Sequence, residues 1–331
     1  MVQERGAVRK RLLLLILLGW VLLIIGDRVD ELRVYQGAQI AMYTIALSSI
    51  VLLTGYSGQV SLGNGAMMAV GGYAAALTLN NLQTPIWFAF VVAILASAIF
   101  GALLGAAAAR QTGPYLAGTT LALAVGLPAL ANQFSFLGGE QGILFDIGFP
   151  PARFGEEFSQ YKWFFWIATF IALLSYFVVS NILHSRYGRT WRAIRGNSLA
   201  AELAGVHTAR MKVLAFTASS AIAGLAGAVL AMTISLVSPG AYALSLSFAL
   251  VTGAVLAGIS SLPGVMLGAV ILVAIPEIAD VVAHNLGDSE KVITHLPGLI
   301  VSVLLILSVI FTPNGPGENL RKHLHKKKSA H

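Results

Sequence analysis

Residues 86–109 read I-W-F-A-F-V-V-A-I-L-A-S-A-I-F-G-A-L-L-G-A-A-A-A, a stretch without a charged side chain. As an α-helix it would be about 36 Å long, enough to cross a hydrocarbon layer of about 30 Å. The rest of the chain is similar, because 57% of its 331 residues are hydrophobic and 11% are charged. A soluble domain carries about 25% charged residues. We therefore predict an all-α, polytopic transmembrane helical bundle.

Ten apolar stretches predict about ten membrane spans. The first, residues 12–26, also has the length of a signal-peptide core, but only Gly26-Asp27-Arg28 follows it, with no small-residue cleavage site. We therefore favour a retained span. The predicted spans are residues 12–26, 38–54, 63–80, 86–109, 115–133, 161–183, 212–235, 244–262, 264–284 and 293–312.

The distribution of charge predicts the orientation. With ten spans and the N-terminus inside, both termini are cytoplasmic. The tails and loops on that side, counted with Lys212, hold 16 of the 21 Lys and Arg residues, and such an excess is typical of cytoplasmic segments. The tail at 313–331 is strongly basic, so we expect a solvated cytoplasmic end that can contact anionic lipid headgroups. No RNA-binding aromatic signature accompanies these charges, and we expect no nucleic-acid partner.

The segment 54–73, T-G-Y-S-G-Q-V-S-L-G-N-G-A-M-M-A-V-G-G-Y, combines six glycines with polar side chains. One interpretation is a broken or re-entrant stretch that lines a translocation path. The other is close helix packing through small residues, together with a short cytoplasmic turn. The candidate path residues are Gln59, Ser61 and Asn64. The spacings Gly101-x-x-x-Gly105 and Gly224-x-x-Gly227 likewise indicate close approach between helices.

The loop at 184–212 is the longest predicted on the cytoplasmic side. Asn197 or Ser198 can cap a short helix, Leu199 and Leu203 share one face of it, and Gly205 suits a left-handed stop. So short a helix is unstable alone in water. It needs a surface, which is either a groove on a cytoplasmic partner or the lipid headgroups, with the arginines around Arg195 only enforcing topology.

Glu277 and Asp280 lie late in the ninth predicted span, three residues apart on one helical face. Pro276, just before them, predicts a local break in the helix. The two acids form either a polar patch in the translocation path, in which case Glu277 is a path residue, or a pair near the outer interface, where water reaches them.

Several chemistries lack their motifs. The chain contains no G-x-x-x-x-G-K-[ST] phosphate loop, no H-E-x-x-H and no G-x-S-x-G. Its seven histidines show no metal-ligand spacing, and cysteine is absent. We therefore predict neither catalytic residues nor a metal site. Acidic side chains at mid-span, which ion-coupled carriers tend to have, are also scarce.

Three segments together indicate a family. They are G-Y-S-G-Q-V-S-L-G at 55–63 with G-G-Y-A-A-A at 71–76, R-Y-G-R-T-W-R-A-I-R-G-N-S-L-A-A-E-L-A-G-V at 186–206 with K-V-L-A-F-T-A-S-S-A-I-A-G-L-A-G-A at 212–228, and G-I-S-S-L-P-G-V-M-L-G-A at 258–269 with I-P-E at 275–277. They resemble the signatures of branched-chain amino acid ABC permeases. The second segment favours the larger, M-type member of the permease pair.

This resemblance implies an importer subunit, and not an enzyme, built as a single permease domain over 1–331 in the bacterial inner membrane. It implies three kinds of partner: a second, related permease, two cytoplasmic ATPases and an external solute-binding protein. ATP and Mg²⁺ would bind to the ATPases, leaving this chain without a cofactor. Arg195, Leu199, Glu202, Leu203 and Gly205 would belong to the element that couples to the ATPase, Glu202 and Gly205 matching its acidic and glycine positions.

The chain departs from the family pattern at Leu262-Pro263, where an aromatic residue is common, and at Asn64 and Met67 or Met68. Urea, short amides or other amino acids are therefore alternative solutes. An ion-coupled secondary transporter is the alternative mechanism, and a membrane-embedded enzyme or structural bundle is a third possibility.

Overall fold

The computed structural model describes residues 2–82, 84–109, 111, 114–145, 147–148, 150, 154, 158–286, 299 and 303. These residues are predominantly helical, as predicted. The helices are α1 (Val2–Arg28), α2 (Glu31–Ile50), α3 (Asn64–Leu82), α4 (Ile86–Ala108), α5 (Pro114–Gln133), α6 (Gln160–His184), α7 (Arg186–Gly196), α8 (Ser198–Leu203), α9 (Thr208–Ile234), α10 (Leu244–Ala257) and α11 (Gly264–Leu286). Strands β1 (Ile143–Leu144) and β2 (Leu236–Val237) form a small antiparallel pair.

Six helical segments within the described residues are long and apolar enough to cross a membrane. They are Glu31–Tyr56, Ile86–Ala108, Tyr115–Gln133, Gln160–His184, Thr208–Ile234 and Pro239–Ala257. The predicted ten spans are thus not confirmed. Charged residues flank the apolar run of α1, α3 is rich in glycine and asparagine, and the apolar part of α11 is short. The tenth predicted span and the tail at 313–331 lie outside the described residues, apart from Leu299 and Val303.

Small residues hold the centre of the bundle together. Helix α9 packs along α3 and α4. A Cβ atom on Gly71 would overlap the backbone of Gly224, and one on Gly227 would overlap the backbone of Met68. Gly101 lies equally close to Ser220. In lipid, where apolar surfaces gain little by leaving the solvent, such close packing drives helix association. The predicted close-approach surfaces are therefore confirmed.

The chain reverses direction between α2 and α3. Helix α2 continues into a π-helical turn at Val51–Tyr56, and α3 begins at Asn64. Residues 57–63 form a non-helical connection, here called the reversal, in which Gly58 has a φ of +73° that glycine adopts without strain. The non-helical break fits one interpretation of residues 54–73 and the close packing of Gly71 fits the other, so a path lined by this segment stays a prediction.

The bundle has two distinct ends. Gln59, Gln111, Arg195 and Lys212 line one cavity, which places the reversal, the α4–α5 connection and the α7–α8 segment at one end, called the Arg195 end. The other end carries the Lys162–Asp27 ion pair (3.2 Å) and the β1–β2 pair. This alternation of connections agrees with the order of loops predicted from the charges.

Helix α11 does not break at Pro276. It runs from Gly264 to Leu286 with the proline inside it, so the predicted local break at this position is wrong. Neighbouring helices can stabilise a helix that loses one backbone hydrogen bond at a proline, and α11 packs against α2 and α10.

Candidate coupling site and buried polar residues

Helices α7 and α8 both have caps or stops at their boundaries, and those of α8 are the ones predicted from the sequence. Ser185 Oγ accepts a hydrogen bond from the Tyr187 backbone N–H (3.2 Å) at the start of α7. Asn197 Oδ1 accepts one from the Ala200 N–H (3.0 Å) and so caps α8. Helix α8 ends at Leu203, and Gly205, two residues further on, has a φ of +85° that stops the helix. These caps satisfy backbone groups that a six-residue helix would otherwise leave without partners.

Helix α8 projects two leucines away from the bundle. The side chains of Leu199 and Leu203 are 65% and 84% exposed, whereas Ala201 between them is buried. An exposed leucine pair on a short polar segment is unfavourable in water, because burying each side chain is worth about 1.5–3 kcal/mol. The two leucines therefore form a small exposed apolar surface of the kind that a partner protein covers.

Glu202, also predicted to belong to the coupling element, is exposed and bonds to the helix that follows. Its Oε1 accepts a short hydrogen bond from Thr208 Oγ1. Thr208 is the first residue of α9, so Glu202 ties α8 to the start of the next helix. A carboxylate is favourable at that position because it lies near the positive end of the α9 dipole.

Arg195 lies in the same segment and is exposed, but its guanidinium contacts two other connections of the bundle. Its Nη1 donates to the Gly55 carbonyl and to Ser260 Oγ (2.8 Å). Arg192, one turn earlier, lies over the ring of Tyr56 at 5.6 Å, and Trp191 Nε1 donates to the Met211 carbonyl (2.9 Å). These contacts fix α7 to the bundle and leave α8 projecting from it.

The three predicted path residues near the reversal are buried, each at most 5% exposed. Gln59 Nε2 donates to Ser57 Oγ (2.6 Å) and to the Lys212 carbonyl (3.4 Å). Ser61 Oγ accepts from the Gly63 N–H (3.2 Å). Asn64 Nδ2 donates to Ser49 Oγ (3.0 Å). Gln59 thus connects the reversal to the start of α9 and Asn64 connects α3 to α2, whereas Ser61 bonds within the reversal.

Serines that the sequence analysis did not single out complete this buried network. Ser219 Oγ donates to the Ser49 carbonyl (2.9 Å), and Ser247 Oγ accepts from the Gly65 N–H (3.1 Å). All three serines are buried inside apolar helices. A serine on an otherwise apolar helix is the available signal, but it does not reveal which neighbouring helix it contacts.

Glu277 lies apart from the other path candidates. Its Oε1 accepts from Arg33 Nη1 at 2.7 Å, with both side chains partly exposed. Arg33 is in the first turn of α2, and the π-helical turn that precedes Gln59 ends at Tyr56, about 35 Å further along the helix. The structure therefore separates the predicted path residues into a group at the Arg195 end and Glu277 near the opposite end.

A cavity of about 730 Å³ lies beside the reversal and the last turn of α7. Gln59, Gln111, Arg195 and Lys212 line it, together with apolar side chains such as Leu116. Within the part of the chain that the structure describes, no three His, Asp or Glu side chains come together as metal ligands.

A helical bundle with six apolar segments long enough to cross a membrane is the architecture of a multi-pass membrane protein. A family model described as "Branched-chain amino acid transport system / permease component" matches residues 35–309. The chain belongs to this family, as the sequence motifs predicted.

Curated relatives agree with this assignment. The LivM permease protein of the high-affinity branched-chain amino acid transport system from Salmonella typhimurium is 29% identical, over 92% of this chain and 73% of its own length. The Escherichia coli K12 LivM is 29% identical over 87% of this chain and 71% of its length. The Salmonella typhimurium LivH permease protein is 27% identical over 82% of this chain and 90% of its length. The predicted resemblance to the M-type permease is confirmed. No solved structure matches the chain.

Proposed function

We propose that this chain is the membrane-spanning subunit of an ABC importer in the bacterial inner membrane, which moves branched-chain or related amino acids delivered by an external binding protein. The observation that carries the proposal is α8, which displays Leu199 and Leu203 at the Arg195 end of a permease-family bundle. An isolated carrier has no need for a displayed apolar helix of this kind, whereas a subunit driven from outside needs a contact surface.

Charge supports a cytoplasmic location for this end. Among the described residues, no acidic side chain pairs with Arg186, Arg189, Arg192 or Arg210. The two ion pairs there are Arg33–Glu277, between α2 and α11, and Lys162–Asp27, between α6 and α1. Uncompensated basic residues are typical of cytoplasmic segments. The proposal therefore keeps the ten-span topology, the single permease domain over 1–331, the cytoplasmic coupling loop at 184–212 and the cytoplasmic tail at 313–331.

The proposed assembly contains a second, related permease, because LivM and LivH relatives are both permease proteins of branched-chain amino acid transport systems. Two cytoplasmic ATPases would bind ATP and Mg²⁺, and α8 of this chain would dock in a groove of one of them. No cofactor is proposed for this chain, since it lacks a phosphate loop of its own.

The solute path is proposed to use the two separated groups of polar residues differently. Gln59, Ser61 and Asn64 would form part of an inner gate, because all three are buried, Gln59 bonds the reversal to α9 and Asn64 bonds α3 to α2. Glu277 would lie at the outer mouth, beside Arg33. Urea and short amides remain the alternative solutes, because the chain differs from the family pattern at Asn64 and Leu262.

Co-purification tests the docking surface. We expect the double variant Leu199→Asp/Leu203→Asp to retain at least about tenfold less ATPase than the wild-type chain, since two leucines that would be buried in the interface are replaced by charges. Ala200→Asp is the control, because it adds a carboxylate to an exposed position of α8 without removing a leucine. Equal ATPase retention by the double variant and the control would locate the docking surface elsewhere.

Reconstitution tests the mechanism of transport. Proteoliposomes that contain both permeases, the ATPases and the binding protein should take up leucine only when ATP is supplied on the ATPase side. Uptake by this polypeptide without the ATPases, driven by an ion gradient, would instead establish a secondary transporter. Competition by urea and acetamide in the same vesicles would identify the alternative solutes.

A further inference from the structure

Arg195 makes contacts that a docking residue does not need. Its guanidinium reaches the Gly55 carbonyl at the end of α2's π-helical turn and Ser260 in the connection between α10 and α11. The two acceptors are 140 and 65 residues away along the chain. One side chain therefore joins the coupling segment to two other irregular segments of the bundle.

Two glycines allow these segments to meet. A Cβ atom on Gly55 would overlap the Ile259 carbonyl. Gly58 combines its positive φ with a position where a Cβ atom would lie 2.9 Å from Cγ of Arg195. The backbone at Gly55 thus packs against the α10–α11 connection, and the backbone at Gly58 packs against the side-chain stem of Arg195. No larger residue fits at either glycine.

The remaining contacts of α7 hold it firmly against the bundle. Ile194 and Trp191 are buried, and Trp191 donates to the Met211 carbonyl at the start of α9. Arg195 lies in the last turn of α7, three residues before Ser198 begins α8. A displacement of α8 therefore reaches Arg195 through one short, capped junction.

Resting on the proposed function, we infer that Arg195 is a positioning residue that transmits movement of α8 to the reversal and to the α10–α11 connection. Arg195 does not form part of the ATPase-docking surface. It supplies charge-assisted hydrogen bonds to two acceptors, a geometry that the planar guanidinium satisfies and the point charge of a lysine does not. Gln59 and Ser61 in the reversal, and Asn64 at the start of α3, then move together with α8. Packed elements held by such bonds are the physical route for coupling between distant sites.

The experiment measures solute transported per ATP hydrolysed in proteoliposomes of the full transporter. We expect Arg195→Gln to assemble with the ATPases at the wild-type level and to hydrolyse ATP, while uptake per ATP falls about tenfold, because two charge-assisted hydrogen bonds are lost. Arg195→Lys should fall by about threefold, since it can keep one of the bonds. Arg186→Gln is the matched control, because it removes the same charge from α7 at an arginine whose side chain, among the described residues, contacts its neighbour Tyr187. It should behave like wild type.

Each other outcome decides the question. Wild-type uptake per ATP in Arg195→Gln overturns the inference, and so does loss of ATPase association, which would make Arg195 a docking residue. If Arg195→Gln does not fold, Ser260→Ala decides: a fall of about threefold supports the inference, and unchanged coupling overturns it. Failure of the leucine variants to release the ATPase would instead overturn the docking proposal, so the two failures are distinguishable.

Discussion

Asn64 illustrates how much a single buried amide determines at the first turn of α3. It is 4% exposed, and its Nδ2 donates to Ser49 Oγ in α2. The same serine's backbone carbonyl accepts from Ser219 in α9. One asparagine therefore lies at a point where three helices meet through polar atoms.

We expect Asn64→Asp to destabilise the protein strongly, because it places a carboxylate, which cannot donate to Ser49, in a buried site. The melting temperature in detergent should fall by about 10 °C or more, against a few degrees for Asn64→Ala. Asn81→Asp, at an exposed position of the same helix, is the control and should melt like wild type. A stable Asn64→Asp protein would show that water reaches this site.

Residue-scale features were predictable where they depend on neighbours in sequence. The cap at Asn197 and the left-handed stop at Gly205 follow from residue type and position, and both are observed. Arg195 was predicted in the coupling element, but its bonds to Gly55 and Ser260 join residues far apart in the chain. No spacing in the sequence encodes such a contact.

At the scale of elements, helices bounded by charge or proline were the most predictable. Helices α4 and α6 lie within a few residues of the predicted spans 86–109 and 161–183. The π-helical turn after α2 carried no signal, because its residues are apolar and glycine-containing like many helical segments. Composition alone left residues 54–73 with two interpretations, since glycines serve both turns and close packing.

Replacing a glycine by alanine is predicted to have opposite effects on stability in α9 and in α5. Gly227→Ala should lower the melting temperature by several degrees, because its methyl group would overlap the Met68 backbone. Gly126→Ala, with open space around the new methyl group, should leave it unchanged or raise it, since alanine favours a helix by up to about 1 kcal/mol. A similar effect of the two substitutions, measured by thermal unfolding in one detergent, would contradict the packing of α3 on α9.

At the scale of the whole molecule, the proposed topology predicts that the two ends of the bundle are accessible to a labelling reagent from opposite sides of the membrane. The chain has no cysteine, so single-cysteine variants can be labelled without background. Leu203→Cys should react with a membrane-impermeant maleimide only in inside-out vesicles, and Leu32→Cys, also exposed, only in right-side-out vesicles or cells. Labelling of both from one side would overturn the proposed topology.

The class of protein was predictable at this scale because composition alone requires a lipid solvent. The number of spans was harder to predict, since α1 and α3 combine apolar runs with charged, glycine or asparagine residues. Such helices are stable through their neighbours, as α3 is beside α9, and a hydropathy criterion does not register neighbours.

The displayed leucines of α8 also bear on how much of this subunit a cell can tolerate. A copy synthesised without its companion would expose an apolar ridge at the Arg195 end, a feature that chaperones and proteases recognise. We therefore expect surplus chains to be degraded rapidly, so that supply of the companion sets their abundance.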